Sequence, residues 1–340
     1  MLPDQIEDPT PIYLEAIEKE LIRSVQRANE FGNTRLYEML AYHMGWKDRS
    51  RGKELRGKRI RPLLVLLTCT SAGGDWRRAL PAAAAVELVH NFSLIHDDIE
   101  DHSTLRRGRP TVWKKWGIPQ AVNCGDAMFA LAHLEAVRIT NTVSPLIGMK
   151  AVELLQSTCL HLTHGQYLDL SYETMEEVSI DDYWSMVEGK TAALLSASAE
   201  LGALSAFCDE PTCLLYRKFG HFLGLAFQVQ DDLLGIWGDM RLTGKSSQSD
   251  LVTGKITLPV LYGLSKKAEF SKRWKKGKIP MDEIPEVIKL LEIEGGKEYT
   301  ELQAEHLLGE AISTLEQAHP GGSTAKLLKN LAYCLVNRQT

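Results

Sequence analysis

Apolar residues recur at helical spacing along almost the whole chain, while strand-type alternation of apolar and polar residues is scarce. That periodicity narrows the choice of fold more than any other feature. It predicts helices over residues 12–28, 34–42, 62–71, 81–101, 119–138, 150–170, 180–204, 214–234, 255–266, 281–291, 298–317 and 324–336. The punctuation agrees, because Gly73-Gly74, Gly117-Ile118-Pro119, Pro211 and Pro320-Gly321-Gly322 all fall between these segments. Pro62, Pro81 and Pro119 sit where a first helical turn tolerates proline. No repeat of fixed period, low-complexity tract or long linker divides the 340 residues. The expectation is one all-α domain over 1–340. Residues 268–280, with Lys272, Arg273, Lys275, Lys276 and Lys278 and with Lys267 just before them, read as a solvated basic connection between two helices.

Charge then limits the partners. With 39 basic and 44 acidic residues the chain is mildly acidic, which argues against broad nucleic-acid binding. Its six cysteines show no Cys-x-x-Cys spacing and read as reduced core residues of a cytoplasmic protein. The acidic N-terminus lacks an apolar signal core, and no apolar run approaches the length of a transmembrane segment.

Chemistry concentrates where the apolar helices run into acid. Asp97-Asp98-Ile99-Glu100-Asp101 ends the apolar stretch 82–95, and Asp97 and Asp101, at i and i+4, share a helix face. A helix C-terminus already carries partial negative charge, so acids there call for a cation. Closely spaced oxygen ligands beside a phosphate suit Mg²⁺. Gln230-Asp231-Asp232 repeats the logic at the end of the apolar stretch 222–227. One Asp-Asp pair is a common surface feature. Two, each closing an apolar helix, point to a pair of clusters that would face each other and hold several Mg²⁺ ions on a diphosphate.

Cations accompany the acids. Gly57-Lys58-Arg59-Ile60-Arg61-Pro62 sets three positive charges before a helix whose free N–H groups also favour anions. Lys58 and Arg61 would grip a phosphate, Arg61 with a bidentate fork. Arg106 and Arg107 follow the first acid cluster, either pairing with its aspartates or each taking a diphosphate. Lys190 lies in Glu188-Gly189-Lys190-Thr191 inside an apolar helix, where an unpaired charge is costly and Gly189 weakens the helix. Thr243-Gly244-Lys245 and Thr253-Gly254-Lys255 add two lysines after the second cluster.

These stretches, in this order, resemble the trans-isoprenyl diphosphate synthases, the polyprenyl synthetase family that makes farnesyl, geranylgeranyl and longer prenyl diphosphates. The matching segments are GKRIRP (57–62), ELVHNFSLIHDDIED (87–101), RRGRPT (106–111), GQYLDL (165–170), EGKTAAL (188–194), FQVQDD (227–232), TGK (243–245) and GKITLP (254–259), with a closing helix and Arg338. The resemblance implies an isoprenoid synthase helical bundle around a central cavity. It also implies a homodimer, and Mg²⁺ as cofactor with three ions per active site. By position, Asp97, Asp101 and Asp231 would be the Mg²⁺ ligands. Lys58, Arg61 and His90, assisted by Arg107, would bind isopentenyl diphosphate. Arg106, Lys190, Lys245 and Lys255 would hold the allylic diphosphate. Thr191 and Gln228 would line the place where the allylic cation forms, and His96 would stand behind the aspartates.

One departure stands out. The family's second motif ends in a further Asp, whereas this chain has Gly235, with Asp239 only after Ile236-Trp237-Gly238. Phe92, with Val89 and Ser93 beside it, matches the position where an aromatic ring limits chain length, so the expected product is C15 to C20. Alternatives on the same scaffold are a class I terpene cyclase, a head-to-head coupling enzyme and a non-catalytic regulatory subunit. Lys58, Arg61 and His90 argue against the cyclase, and an intact first motif with both arginines argues against the subunit.

Overall fold

The computed structural model describes residues 8–30, 32, 34–47, 57–175, 177–238 and 249–337. Lys245, with Thr243, Gly244, Asp239 and Arg338, lies outside the described residues. Helix dominates, as the spacing predicts. The α-helices are α1 (Thr10–Gln26), α2 (Thr34–His43), α3 (Ile60–Ser71), α4 (Leu80–Glu100), α5 (Val112–Trp116), α6 (Ile118–Thr142), α7 (Pro145–Tyr172) and α8 (Ile180–Val187). They continue with α9 (Ala193–Ser205), α10 (Glu210–Trp237), α11 (Ser249–Thr253), α12 (Leu258–Ser265), α13 (Glu269–Trp274), α14 (Ile284–Ile293), α15 (Gly296–Gln317) and α16 (Gly322–Val336). Two-residue strands β1 (Leu105–Arg106) and β2 (Arg109–Pro110) form an antiparallel hairpin. Among the described residues, no helix is long and apolar enough to cross a membrane.

The contacts group into two compact units. The first comprises 1–159, 197–214 and 320–325; the second comprises 160–196, 215–319 and 326–340. In the first, α4 is buried around most of its circumference, with Ala82, Ala83, Ala84 and Ala85 all inaccessible. Such small residues let neighbouring helices approach closely, and α3, with Leu64, Val65 and Leu66 all buried, packs beside it. A helix buried this way shows little amphipathic contrast, which is why 82–95 reads as a nearly continuous apolar run.

In the second unit, Ile236, Leu251, Val260, Phe270, Ile279, Ile284, Val287 and Leu291 form a core. A capping box starts α8: Ser179 Oγ accepts from Asp182 N at 3.1 Å, and Asp182 Oδ2 accepts from Ser179 N at 2.9 Å. One sequence expectation is corrected here. The basic stretch 268–280 is not simply a solvated loop, because α13 forms within it and sends Phe270 fully into the core. Its basic residues are partly engaged, with Arg273 Nε donating to Glu283 Oε2 at 2.6 Å. The helix is too short for its period to show against so many lysines.

Candidate active site

In the first unit, α4 delivers the first acid cluster. Asp101 caps its C-terminus and donates its N–H to the Asp97 carbonyl at 2.8 Å. Asp97 is half-buried and Asp101 exposed, but Asp98 turns inward. Arg106 Nε donates to both Asp98 oxygens, at 2.9 and 3.0 Å. Burial pushes the Asp98 carboxyl up to about 6, against the opposing pull of Arg106. Arg106 belongs to β1, and the hairpin turn is Arg107-Gly108, with φ of 51° and 70°. Positive φ at both central residues is the type I′ turn that suits a two-residue hairpin. Glycine adopts it freely, whereas Arg107 is held there under strain.

The second cation group packs against that turn. Gly57 has φ +77°, and an added Cβ would stand 2.8 Å from Arg107 Nη2, so only glycine leaves room for the guanidinium. Arg59, also left-handed at φ 49°, points away from the cation group into a buried network. Its Nη1 donates to Glu87 Oε1 at 2.7 Å and its Nε to Glu18 Oε2 at 3.2 Å. Asn91 Nδ2 also donates to Glu87 Oε1, at 2.9 Å, and Trp46 Nε1 donates to Glu18. Lys58 is exposed, and Arg61 Nη1 donates to His90 Nε2 at 3.4 Å. Burial, reinforced by the charges of Arg61, Arg107 and Arg106, holds His90 well below its ordinary pKa and therefore neutral. Burial and the neighbouring arginines likewise lower Arg107. An anion placed here would relieve Arg107, and Arg guanidinium forks match phosphate oxygens.

Below the acids, the Phe92 ring meets Phe129 edge-on with centroids 4.9 Å apart, and His96 at 5.9 Å. Val89 is fully buried beside it, and Ser93 Oγ donates to the His90 carbonyl at 2.9 Å. The His96 ring fills the gap at Gly125 of α6, where a Cβ would lie 2.2 Å from Nε2. That contact gives His96 a packing role.

The second unit repeats the division of labour. On α10, Asp231 is half-buried and Asp232 fully enclosed. Asp232 Oδ2 accepts from Tyr183 Oη at 2.7 Å and Leu258 N at 3.0 Å, and Oδ1 accepts from Gln228 Nε2 at 3.0 Å. Burial pushes Asp232 up to about 6 despite these donors. Gln228 Oε1 in turn accepts from Thr191 Oγ1 at 2.7 Å, which fixes the amide orientation. Lys190 pairs with Asp169 of α7. Residues Glu188–Ala192 form a π-helical turn between α8 and α9. The close approach of α7 explains it: a Cβ at Gly165 would meet Lys190 N at 2.1 Å, and one at Gly189 would meet the His161 carbonyl at 2.6 Å. Such turns often mark functional positions. Lys255 is exposed just beyond α11, where its N–H donates to the Asp250 carbonyl at 2.8 Å.

Among the described residues, no three His, Cys, Asp or Glu side chains form a ready-made metal cage. Mg²⁺ usually binds through one or two carboxylates plus phosphate oxygens rather than in an all-protein cage. The donors present are oxygens, as a hard cation prefers. Gly235 adds a hollow: a Cβ there would stand 2.0 Å from Asp250 Oδ2, so a carboxylate already fills that space. The residues fit the ion. Sequence reasoning did not single out Arg59, Asp98, Asp169, Tyr183, Asp232 or Asp250 for these roles. For the two inner aspartates a signal exists, because adjacent residues on a helix point about 100° apart and cannot share one face.

Accessible aspartates after apolar helical stretches, with clustered guanidinium groups before and after the first of them, are a chemistry suited to a diphosphate. The chain belongs to the polyprenyl synthetase family, which it matches over residues 51–291, and is a trans-prenyltransferase. It is 46% identical over 248 residues to the geranylgeranyl diphosphate synthase of Mycobacterium tuberculosis, covering 72% of this chain and 70% of that one. It is 38% identical over 312 residues to the (2E,6E)-farnesyl diphosphate synthase of Mycobacterium bovis, covering 88% and 86%. The crystal structure of a polyprenyl synthetase from Streptomyces coelicolor A3(2) superposes with a TM-score of 0.87 at 34% identity, covering 97% of this chain and all of that one.

Proposed function

We propose that the protein joins isopentenyl diphosphate head-to-tail to an allylic diphosphate, creating a trans double bond and a C15 to C20 prenyl diphosphate. The observation that carries this reading is the Arg61–His90–Arg107 group, with Lys58 three residues before Arg61, in the same unit as Asp97 and Asp101. Lys58, Arg61 and neutral His90, with Arg107, bind the isopentenyl diphosphate. Arg106, Lys190, Lys245 and Lys255 bind the allylic diphosphate, and Asp97, Asp101 and Asp231 are the ligands for Mg²⁺. When bound, Mg²⁺ neutralises charge building on the leaving diphosphate.

The allylic C1–O bond breaks with its electrons leaving on pyrophosphate, and the isopentenyl double bond attacks C1. The proton then lost passes to pyrophosphate, so no side-chain base is needed. Gln228, oriented by Thr191 and Asp232, presents its amide dipole to the cation, and the cationic side chains stabilise the departing charge. Phe92, backed by Phe129, is the floor that stops the growing chain. The two relatives named above make C20 and C15 products by their names, which supports the same range here.

A homodimer belongs to this reading. Ile118, Val122, Phe129 and Val137 form an exposed stripe along α6, continued by exposed Leu146 and Met149 on α7, and apolar surface of that extent is usually covered. A cytoplasmic setting fits the cysteines, since burial pushes the thiols of Cys69, Cys124, Cys159 and Cys213 up to about 12. One catalytic domain over 1–340 fits a chain that passes repeatedly between its two units. Incubating the purified protein with Mg²⁺, labelled isopentenyl diphosphate and each allylic primer tests the reaction. Extension to C15 or C20 is expected, and no extension with any primer would sink the reading.

A further inference from the structure

The two acid clusters differ at one position. Asp97 has Asp101 at i+4, but Asp231 has Gly235, on the same face of α10 and one turn along. The structure puts a carboxylate there by another route. A Cβ on Gly235 would lie 2.0 Å from Asp250 Oδ2, 2.8 Å from Cγ and 3.4 Å from Oδ1. The acid group of Asp250 therefore occupies the space where a side chain of residue 235 would begin.

Packing holds it in place. Leu251, next to Asp250, and Ile236, next to Gly235, are both about 1% exposed and belong to one core cluster. Docking of α11 on α10 is thus driven by apolar burial, and it delivers Asp250 to Gly235. The turn that closes α11, Lys255 N–H to the Asp250 carbonyl at 2.8 Å, fixes the backbone as well. Glycine at 235 is what this arrangement requires, because any side chain would displace the carboxylate.

We infer that Asp250 is the second carboxylate of the Asp231 cluster, replacing from α11 the i+4 acid that Gly235 removes. The inference rests on the Mg²⁺ reading proposed above. Two carboxylates, Asp231 on α10 and Asp250 seated against Gly235 one turn along the same helix, completed by diphosphate oxygens, are a donor set that Mg²⁺ accepts. The second metal position is then built from two segments rather than one helix, so its affinity depends on α11 being docked.

The test is Mn²⁺ binding in the presence of inorganic pyrophosphate, followed by electron paramagnetic resonance on the full chain. Asp250→Asn should weaken binding by about tenfold or more, a loss of the size metal-site substitutions produce. Gly235→Ala should do the same, since only the tip of the Asp250 side chain must move; it decides the matter if Asp250→Asn does not fold. Gly235→Asp combined with Asp250→Ala returns the acid to α10 and should recover binding to within a few-fold. Asp231→Asn is the reference. If Asp231→Asn loses Mn²⁺ while Asp250→Asn and Gly235→Ala bind normally, the Asp250 assignment is overturned and the Mg²⁺ reading survives. If all three bind normally, both fall. Failure of the relocated acid to recover binding in a folded protein would also overturn the assignment.

Discussion

Arg59 reaches Glu87 at 2.7 Å, while Arg61, two residues on, reaches His90 one turn further along the same helix. Neighbouring cations of one short motif thus serve opposite ends. Arg59 binds the loop to α1 and α4 through Glu18 and Glu87, and Arg61 is left beside His90. The left-handed backbone at Gly57 and Arg59 makes the division possible.

Arg59→Met should destabilise the protein by about 3–5 kcal/mol, because it strands two acids in a buried network. Denaturant unfolding measures this. A loss below about 1 kcal/mol would show the network to be dispensable.

Gly57→Ala acts by strain and by contact. A β-carbon at φ +77° costs roughly 1–2 kcal/mol and pushes Arg107 out of its place. The kcat/KM for isopentenyl diphosphate should fall roughly tenfold or more, since small displacements at a binding group are amplified in rate. Steady-state kinetics with each substrate varied would show the effect confined to isopentenyl diphosphate.

Acid should destabilise the fold through His43 and His90. Burial first, then nearby arginines, holds both well below their ordinary value. Between that lowered value and the unfolded one of about 6.5, the unfolded chain binds more protons. Stability is therefore full above about pH 6.5 and declines as pH falls below it. His43→Gln should make this decline shallower in unfolding experiments run across pH, and an unchanged slope would count against the assignment.

Two glycine substitutions should move stability in opposite directions. Gly165→Ala would press on Lys190 N at 2.1 Å and should cost about 1–3 kcal/mol or more. Gly309 lies within α15 with nothing within 4 Å of an added Cβ, so Gly309→Ala should stabilise by about 1 kcal/mol. Thermal unfolding of the pair checks the packing around Lys190 against a neutral background.

Phe92→Ala should lengthen the product, and Phe129→Ala should do so to a smaller extent, because the two rings meet edge-on. Chromatography of the labelled products reads this directly. An unchanged distribution would remove Phe92 as the floor.

Long helices such as α4, α7 and α10 were legible because their apolar spacing persists over many turns. The acids Asp97, Asp101 and Asp231 stand out in the sequence because each cluster follows an apolar helical stretch. The short helices α5, α11 and α13 were not, since five or six residues hardly establish a period. The roles of Arg59, Asp169 and Asp250 depend on partners distant in sequence, and charge spacing along the chain carries no trace of them. Gly235 looked like a missing ligand; only the position of α11 shows what stands in the gap.

The π-turn at Glu188–Ala192 has a consequence for how this helix can change. A π-turn accommodates one residue more than an α-helix would, so the two flanking helices keep a phase relation that depends on it. Deleting a single residue there would close the wide turn to regular α-helix and withdraw the backbone that now lies against Gly165 and the His161 carbonyl. Lys190 would then leave Asp169, or Gly165 would lose its glycine partner across the crossing. This segment should therefore tolerate substitutions at its exposed positions far better than any change in its length.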